Sequence, residues 1–235
     1  LNLSLGGALI WIGYWCRPDI CAAISLAMKH VSYGGKALHT ILLGILKYAG
    51  GTRDRKLIYG PGRDIARRGF VMEHAKMHVN PFDEFELYTL TDASHGRPHL
   101  DMMCSLHYLG GAPVSWRMNR LDCVTLSSTE AEWFGMTLGA KGISILRPII
   151  SFLVGKTLSR PTLAFCDCAP AVKLSEQDES PKKLKHVAIR LAFLQDLSDK
   201  KVVKVHHISW QGMIADIGTK VLKGAAFWNL NTFLM

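Results

Sequence analysis

The spacing of apolar positions divides the chain into two parts with different periods. Over residues 1–50 apolar side chains recur at three- and four-residue intervals, the period of a helix with one buried face. Ile10, Ile12, Ile20, Ile24 and Met28 mark one amphipathic stretch, which an Arg17-Pro18-Asp19 step interrupts. Leu38, Ile41, Leu42, Ile45, Leu46 and Tyr48 mark a second. Gly34-Gly35 separates the two, and Gly50-Gly51 ends the second. A short strand is predicted at Lys56–Tyr59. Residues 60–82, rich in Gly, Arg, Pro and Asn, show little period and read as a linker or boundary.

From residue 86 the pattern changes to short β-like runs. Strands are predicted at Glu86–Asp92, Met103–Leu109 and Pro113–Met118, with Gly110-Gly111 turning the last two into a hairpin. A helix is predicted to start at Ser127 or Ser128, with Glu130 completing a capping box. Next come a strand at Thr162–Cys166, a short helix through Ala171–Leu174, and a basic amphipathic helix at Lys183–Leu197. A fifth strand at Val202–Ile208 and a closing helix at Met213–Leu222 complete the pattern. A three-strand meander followed by alternating helices and strands predicts an α/β fold with a mixed five-stranded sheet flanked by helices. The expected organisation is a helical segment over 1–60, a linker over 61–85 and the α/β domain over 86–235.

Composition narrows this picture. With 49% hydrophobic and 20% charged residues, the 235-residue chain has the make-up of a folded globular protein. No uninterrupted apolar run reaches the ~18 residues of a membrane span, so no membrane partner is expected. Gly6–Ile20 and Ile143–Val154, the most apolar regions, read as buried helix. The N-terminus lacks the basic region of a signal peptide, and a chain that starts on Leu1 rather than Met fits a piece of a longer polypeptide. Cys16, Cys21, Cys104, Cys123, Cys166 and Cys168 form no C-x-x-C pair, so free thiols are expected rather than disulfides or a zinc site.

Charge points to a polyanionic partner. The net charge is +9, and residues 86–235 carry 17 basic against 13 acidic side chains even though the candidate acidic site lies there. Lys182, Lys183, Lys185 and Arg190 would line one basic helix, suited to tracking phosphates.

Four acids carry the candidate chemistry: Asp92 in ELYTLTDAS, Glu132 in LSSTEAEWFGM, Asp167 in TLAFCDCAPAV and Asp216 in MIADIGTK. Asp92 and Asp167 end strands, where loops open and polar groups gather in a mixed sheet. Each alone reads equally well as a turn Asp or an N-cap. On the helix, Glu130 and Glu132 point roughly 200° apart, so only one can face the sheet. Glu132 shares a stripe with Gly135, Gly139 and Gly142 that permits close approach, so Glu132 is placed in the site. Asp216 is expected in the first turn of the closing helix. His206 and His207 are candidates for proton transfer or for a structural role at a strand end. Four carboxylates nearly neutralise two Mg²⁺, with Mn²⁺ as a substitute, and so could support phosphodiester hydrolysis.

The runs TDAS, LGGAPVSW, LSSTEAE, CDCAPAV, LKHVAIR and ADIGTK, in this order, resemble the ribonuclease H domain of Ty1/copia retrotransposon Pol polyproteins. CRPDI and LKYAGGTRDRKLIYG resemble the segment that joins it to the reverse transcriptase. The resemblance implies a ribonuclease H-like fold and a D-E-D-D set at Asp92, Glu132, Asp167 and Asp216. It also implies two-metal cleavage of the RNA strand of RNA–DNA hybrids during reverse transcription. The implied partners are the hybrid and the upstream reverse transcriptase of the same polyprotein, in a cytoplasmic retrotransposon particle or the nucleus. The chain departs from the family pattern at Cys168, Pro170, Ala188 and Val221, where Asn, Ser, Asp and Pro are usual. The polymerase signature Y-x-D-D is absent. The alternative reading is a catalytically inactive nucleic-acid-binding or scaffolding remnant of such a polyprotein.

Overall fold

The computed structural model describes residues 2–78, 86–97, 100–121, 123–175, 185–220 and 222–235. Among these, the chain opens with helices α1 (Asn2–Trp15), α2 (Pro18–Met28), α3 (Gly35–Gly51) and α4 (Pro61–His74). Strands β1 (Leu87–Ala93), β2 (Met102–Leu109) and β3 (Ala112–Arg120) follow, then α5 (Ser128–Val154), β4 (Thr162–Cys166), α6 (Ala169–Ser175), α7 (Lys185–Asp199) and β5 (Val203–His207). Two 3-10 turns, Trp210–Gly212 and Ile214–Gly218, lead into α8 (Gly224–Leu234).

The five strands lie in the order β3-β2-β1-β4-β5. The meander β1-β2-β3 is antiparallel, and β4 and β5 run parallel to β1. This is the mixed sheet predicted from the period change at residue 86. Gly110 and Gly111 both have positive φ (60° and 102°), the conformation that a tight hairpin turn demands and glycine supplies without strain.

Successive residues of β1 face opposite layers, as a pleated strand requires. Tyr88 and Leu90 join one core with Leu106, Tyr108, Trp116, Met118 and Phe165, closed by Cys21 of α2, Val71 and Met72 of α4 and Leu234 of α8. Leu87 joins a second core with Trp133, Met136, Ala140 and Ile143 of α5, Leu191 and Leu194 of α7, and Val203 and Val205 of β5. Glycine brings α5 unusually close to the sheet. A Cβ at Gly135 would stand 3.0 Å from the backbone oxygen of Asp92, and at Gly139 or Gly142 it would overlap Thr91 or His107.

Helices α1 to α3 enclose a small core of their own, with Leu9, Ile20, Ile24, Leu38 and Leu42. They also dock on β3. The Trp116 indole donates to Gly13 O (3.0 Å), and the hydroxyls of Ser25 (2.9 Å) and Tyr14 (3.1 Å) both donate to Met118 O.

Several features differ from the sequence pattern. Lys56–Tyr59 is not a strand, because Ile58 N–H donates to Met235 O and Ile58 O accepts from Arg67. The segment expected as a linker carries α4. Pro61 opens that helix, and the Asp64 carboxylate accepts from Gly60 N–H at 3.0 Å. Residues 79–85 lie outside the described residues. Within the stretch predicted as the closing helix, Ile214–Gly218 is a 3-10 turn that packs Gly218 directly on Cys104 of β2. The closing helix is α8 instead. The apolar runs are only partly buried, since Trp11 and Trp15 of α1 and Ile145, Ile149, Phe152 and Leu153 of α5 are exposed. Among the described residues, α5 alone is long and apolar enough to cross a membrane. Its first half is a core helix pressed on the sheet, whereas its second half leaves Ile145, Ile149, Phe152 and Leu153 exposed.

Candidate metal centre

Three chain segments deliver acids to the carboxyl ends of β1 and β4, and α5 brings the fourth. The parallel register pairs Leu90 with Phe165; carried two residues further, it sets Asp92 beside Asp167. Ser127 caps α5, accepting from Glu130 N–H at 3.1 Å, and the Glu130 carboxylate accepts from Leu126 N–H at 2.7 Å. This cap uses Glu130 as predicted and leaves Glu132 on the glycine stripe that faces the sheet. The tight turn at Ile214–Gly218 carries Asp216 to the same edge.

The carboxylates meet in two overlapping groups. Oxygens of Asp92, Asp167 and Asp216 lie within 4.8 Å of one another, as do the ligand atoms of Glu132, Cys166 and Asp167. Asp167 belongs to both. All four acids predicted from sequence are therefore brought together, and Cys166 Sγ donates to Glu132 Oε2 at 3.5 Å.

Gathering these acids away from water is costly, and their protonation shows it. Burial, reinforced by Asp92 and Asp167, pushes Glu132 up to about 9. Burial also lifts Asp92, to about 6: Asp216 adds to the rise, while Lys220 and the Thr219 hydroxyl oppose it. Asp167 is raised by burial and by Asp92. Asp216 is raised by burial, against the pull of Lys220. Buried carboxylates that repel one another in this way make a donor set short of positive charge. Hard oxygen donors of that kind fit Mg²⁺ or Mn²⁺.

Two residues of the site lie outside the sequence expectation. Thr219 Oγ1 donates to Asp92 Oδ2, and Lys220 Nζ donates to Asp216 Oδ1 at 2.5 Å. Three and four residues after Asp216, they read in sequence as ordinary turn residues and carry no local signal of their partners.

The remaining candidates divide. His207 Nε2 lies 3.2 Å from Asp167 O, beside the centre, whereas His206 Nε2 lies 3.2 Å from Ala75 O and its ring meets Phe165 edge-on. Arg190 lies over the Phe134 ring, 3.9 Å from its centroid, and so against the helix that carries Glu132. Lys182 and Lys183 fall outside the described residues. Lys185 opens α7, but its side chain is not among those described. Among the described residues no disulfide joins the six cysteines.

No protein-family model matches the chain. Among curated proteins, it is 27% identical over 222 residues, 93% of its length, to the retrovirus-related Pol polyprotein from transposon TNT 1-94 of Nicotiana tabacum. It is 26% and 27% identical, over 96% and 95% of its length, to those from transposons RE2 and RE1 of Arabidopsis thaliana. The chain spans only 14–15% of the length of these relatives. Among solved structures, LC11-RNase H1 in complex with an RNA/DNA hybrid aligns at a TM-score of 0.42 with 11% identity, over 57% of this chain and 94% of that one. The N-terminal ribonuclease H domain of a Mycobacterium tuberculosis protein, solved as a maltose-binding-protein fusion, aligns at 0.41 with 9% identity, over 64% and 99%. Along nearly its whole length the chain is thus similar to the Pol polyproteins of copia-type retrotransposons, the resemblance that its motifs carry.

Proposed function

We propose that this chain is a metal-dependent endonuclease that hydrolyses the RNA strand of RNA–DNA hybrids during retrotransposon reverse transcription. The observation that carries this reading is the convergence of Asp92, Glu132, Asp167 and Asp216 on one sheet edge. In this reading residues 86–235 form the nuclease unit and 1–60 the connection to an upstream reverse transcriptase. The place of action is a cytoplasmic particle or the nucleus.

Asp92, Asp167 and Asp216 would hold one divalent cation, and Glu132 with Asp167 a second. Such ions supply Lewis acidity and neutralise the charge that builds on a phosphodiester under attack. The chain's own part is to hold four carboxylates on a rigid frame. Thr219 orients Asp92 through its hydroxyl. Cys166 orients Glu132. Trp133 and Phe134, both buried, fix the first turns of α5. Arg190, which lies over the Phe134 ring, would meet a phosphate of the bound duplex, and Lys182, Lys183 and Lys185 precede it in the same basic run of sequence. The RNA strand would be distinguished by its 2′-hydroxyls.

The test is cleavage of an end-labelled RNA–DNA hybrid in Mg²⁺, beside DNA–DNA and RNA–RNA duplexes. RNA-strand cuts in the hybrid alone are expected. They should fall by more than about 100-fold in Asp167→Asn, beyond what changes outside the ligand shell cost. Hybrid binding without cleavage in Mg²⁺ or Mn²⁺, also with the upstream polymerase present, would instead identify a binding module.

A further inference from the structure

The residue that the four-acid reading leaves unused is Lys220. Its ammonium group reaches the carboxylate group from the Asp216 side, where the Asp92, Asp167 and Asp216 oxygens lie within 4.8 Å of one another. It donates to Asp216 Oδ1 at 2.5 Å, and it acts electrostatically on Asp92 and Asp167 as well. It is anchored by sequence. Lys220 N–H and Thr219 N–H both donate to Asp216 O (2.9 and 3.2 Å), and this turn sends the Lys220 side chain back over Asp216 and the Thr219 hydroxyl to Asp92. The outer part of Lys220 stays open to solvent, so its side chain has somewhere to go when displaced.

A divalent cation and an ammonium group compete for the same oxygens. Both satisfy buried carboxylates, and two positive groups cannot share a few ångströms without strong repulsion. We propose that Lys220 is a built-in counter-cation that occupies the Asp92–Asp167–Asp216 group without metal and is displaced when a divalent ion loads there. The two ion positions are therefore unequal: the one on Asp92 and Asp216 binds in competition with Lys220, the one on Glu132 and Asp167 less so. The side chain released by loading is free to contact a phosphate. Lys220 would then tune metal affinity and protect the metal-free fold, a role separate from holding the ion.

This inference rests on the metal-site reading above, and two measurements on the full chain test it. The first is calorimetric titration with Mn²⁺ of the parent, Lys220→Gln, Lys220→Arg and Asp92→Asn. The weaker Mn²⁺ site should tighten about tenfold in Lys220→Gln, as expected for removing one competing charge. Lys220→Arg should stay near the parent, and Asp92→Asn should lose the site. Without metal, Lys220→Gln should also melt at a lower temperature than the parent. Equal or weaker Mn²⁺ binding in Lys220→Gln, with the parent binding and Asp92→Asn not, would overturn the counter-cation alone. Failure of the parent to bind Mn²⁺, or binding indifferent to Asp92→Asn, would overturn the metal-site reading and this inference with it. The second measurement needs no variant: amine labelling of the parent followed by peptide mass spectrometry, with and without Ca²⁺. Labelling of Lys220 should rise severalfold with the ion bound, and unchanged or reduced labelling would overturn the displacement.

Discussion

At the scale of single residues, the site works against the stability of the metal-free chain. Asp92 is almost fully buried and holds its proton up to about pH 6, against an ordinary 3.8. A carboxyl whose folded pKa is raised contributes stability that is complete below the unfolded value and is lost as pH climbs through the folded one. At about 1.4 kcal/mol per pH unit, the Asp92 displacement amounts to about 3 kcal/mol. Glu132, held up at about 9, extends the loss to higher pH. The melting temperature in EDTA should therefore fall as pH rises from about 4 through 6 and on towards 9. Saturating Mg²⁺ should flatten the profile, because binding to the folded state alone adds stability. Asp92→Asn removes the buried charge, so the metal-free variant should be more stable than the parent at pH 8 by about 1–3 kcal/mol, while cleavage disappears. A metal-free profile without slope between pH 4 and 9 would sink this account. These acids are legible in the sequence because each sits in its own motif, Asp92 and Asp167 at strand ends, Glu132 on α5 and Asp216 in a tight turn. Lys220 and Thr219 are not, because polar residues after an acid read as ordinary turn, and only the fold turns them back onto Asp92 and Asp216.

At the scale of elements, α5 decides whether Glu132 can reach the other three acids. The helix lies close because Gly135, Gly139 and Gly142 face β1 and β2 with no side chain between. Gly139→Ala puts a methyl into Thr91, so the helix must lift or the strand must shift. Overpacking of this kind costs about 1–3 kcal/mol, and lifting α5 withdraws Glu132. Stability and hybrid cleavage should both drop in Gly139→Ala. Gly44→Ala is the control: it lies in the middle of α3, exposed, and a methyl added there would meet nothing within 4 Å. Replacing a helical glycine there should stabilise by up to about 1 kcal/mol, read by thermal melts, and leave cleavage unchanged. The glycine stripe, the hairpin glycines and all five strands are readable because their periods are short and local. Helix α4 is not, because Arg67 and Arg68 occupy buried positions where a core pattern shows apolar residues. Arg67 donates there to Asp64, to Ile58 O and to Met235 O, and the last of these lies 168 positions away in sequence and leaves no local trace. The 3-10 turn carrying Asp216 reads as helix for a related reason, since its i, i+3 spacing suits either form and its packing of Gly218 on Cys104 is a tertiary contact.

At the scale of the whole molecule, the question is whether the N-terminal helices are an independent unit or part of the nuclease fold. The sequence pattern separates residues 1–60 from 86–235, and α1 to α3 do have their own small core. Three observations tie them to the sheet instead. Cys21 of α2 belongs to the same core as Tyr88, Leu106 and Trp116. The Met118 carbonyl on β3 accepts from both Tyr14 and Ser25, and the Trp116 indole donates to Gly13 O. Through α4 and α8 this shared core runs to the layer behind Asp92, so a break at the helical segment uncovers the face that supports the site. A joint core predicts a single cooperative transition. Circular dichroism of helix and tryptophan fluorescence should report coincident denaturant midpoints, with Trp116 and Trp133 sampling the two cores. Trp116→Phe removes one buried hydrogen bond and part of a buried ring, so it should lower the midpoint of the entire transition by about 1–3 kcal/mol of stability. Two separated transitions, with only the first moved by Trp116→Phe, would make the helical segment a domain of its own. The nuclease site would then stand on residues 86–235 without it. A single shifted transition would mean that the connection segment is part of the scaffold holding Asp92 and Asp167 in register.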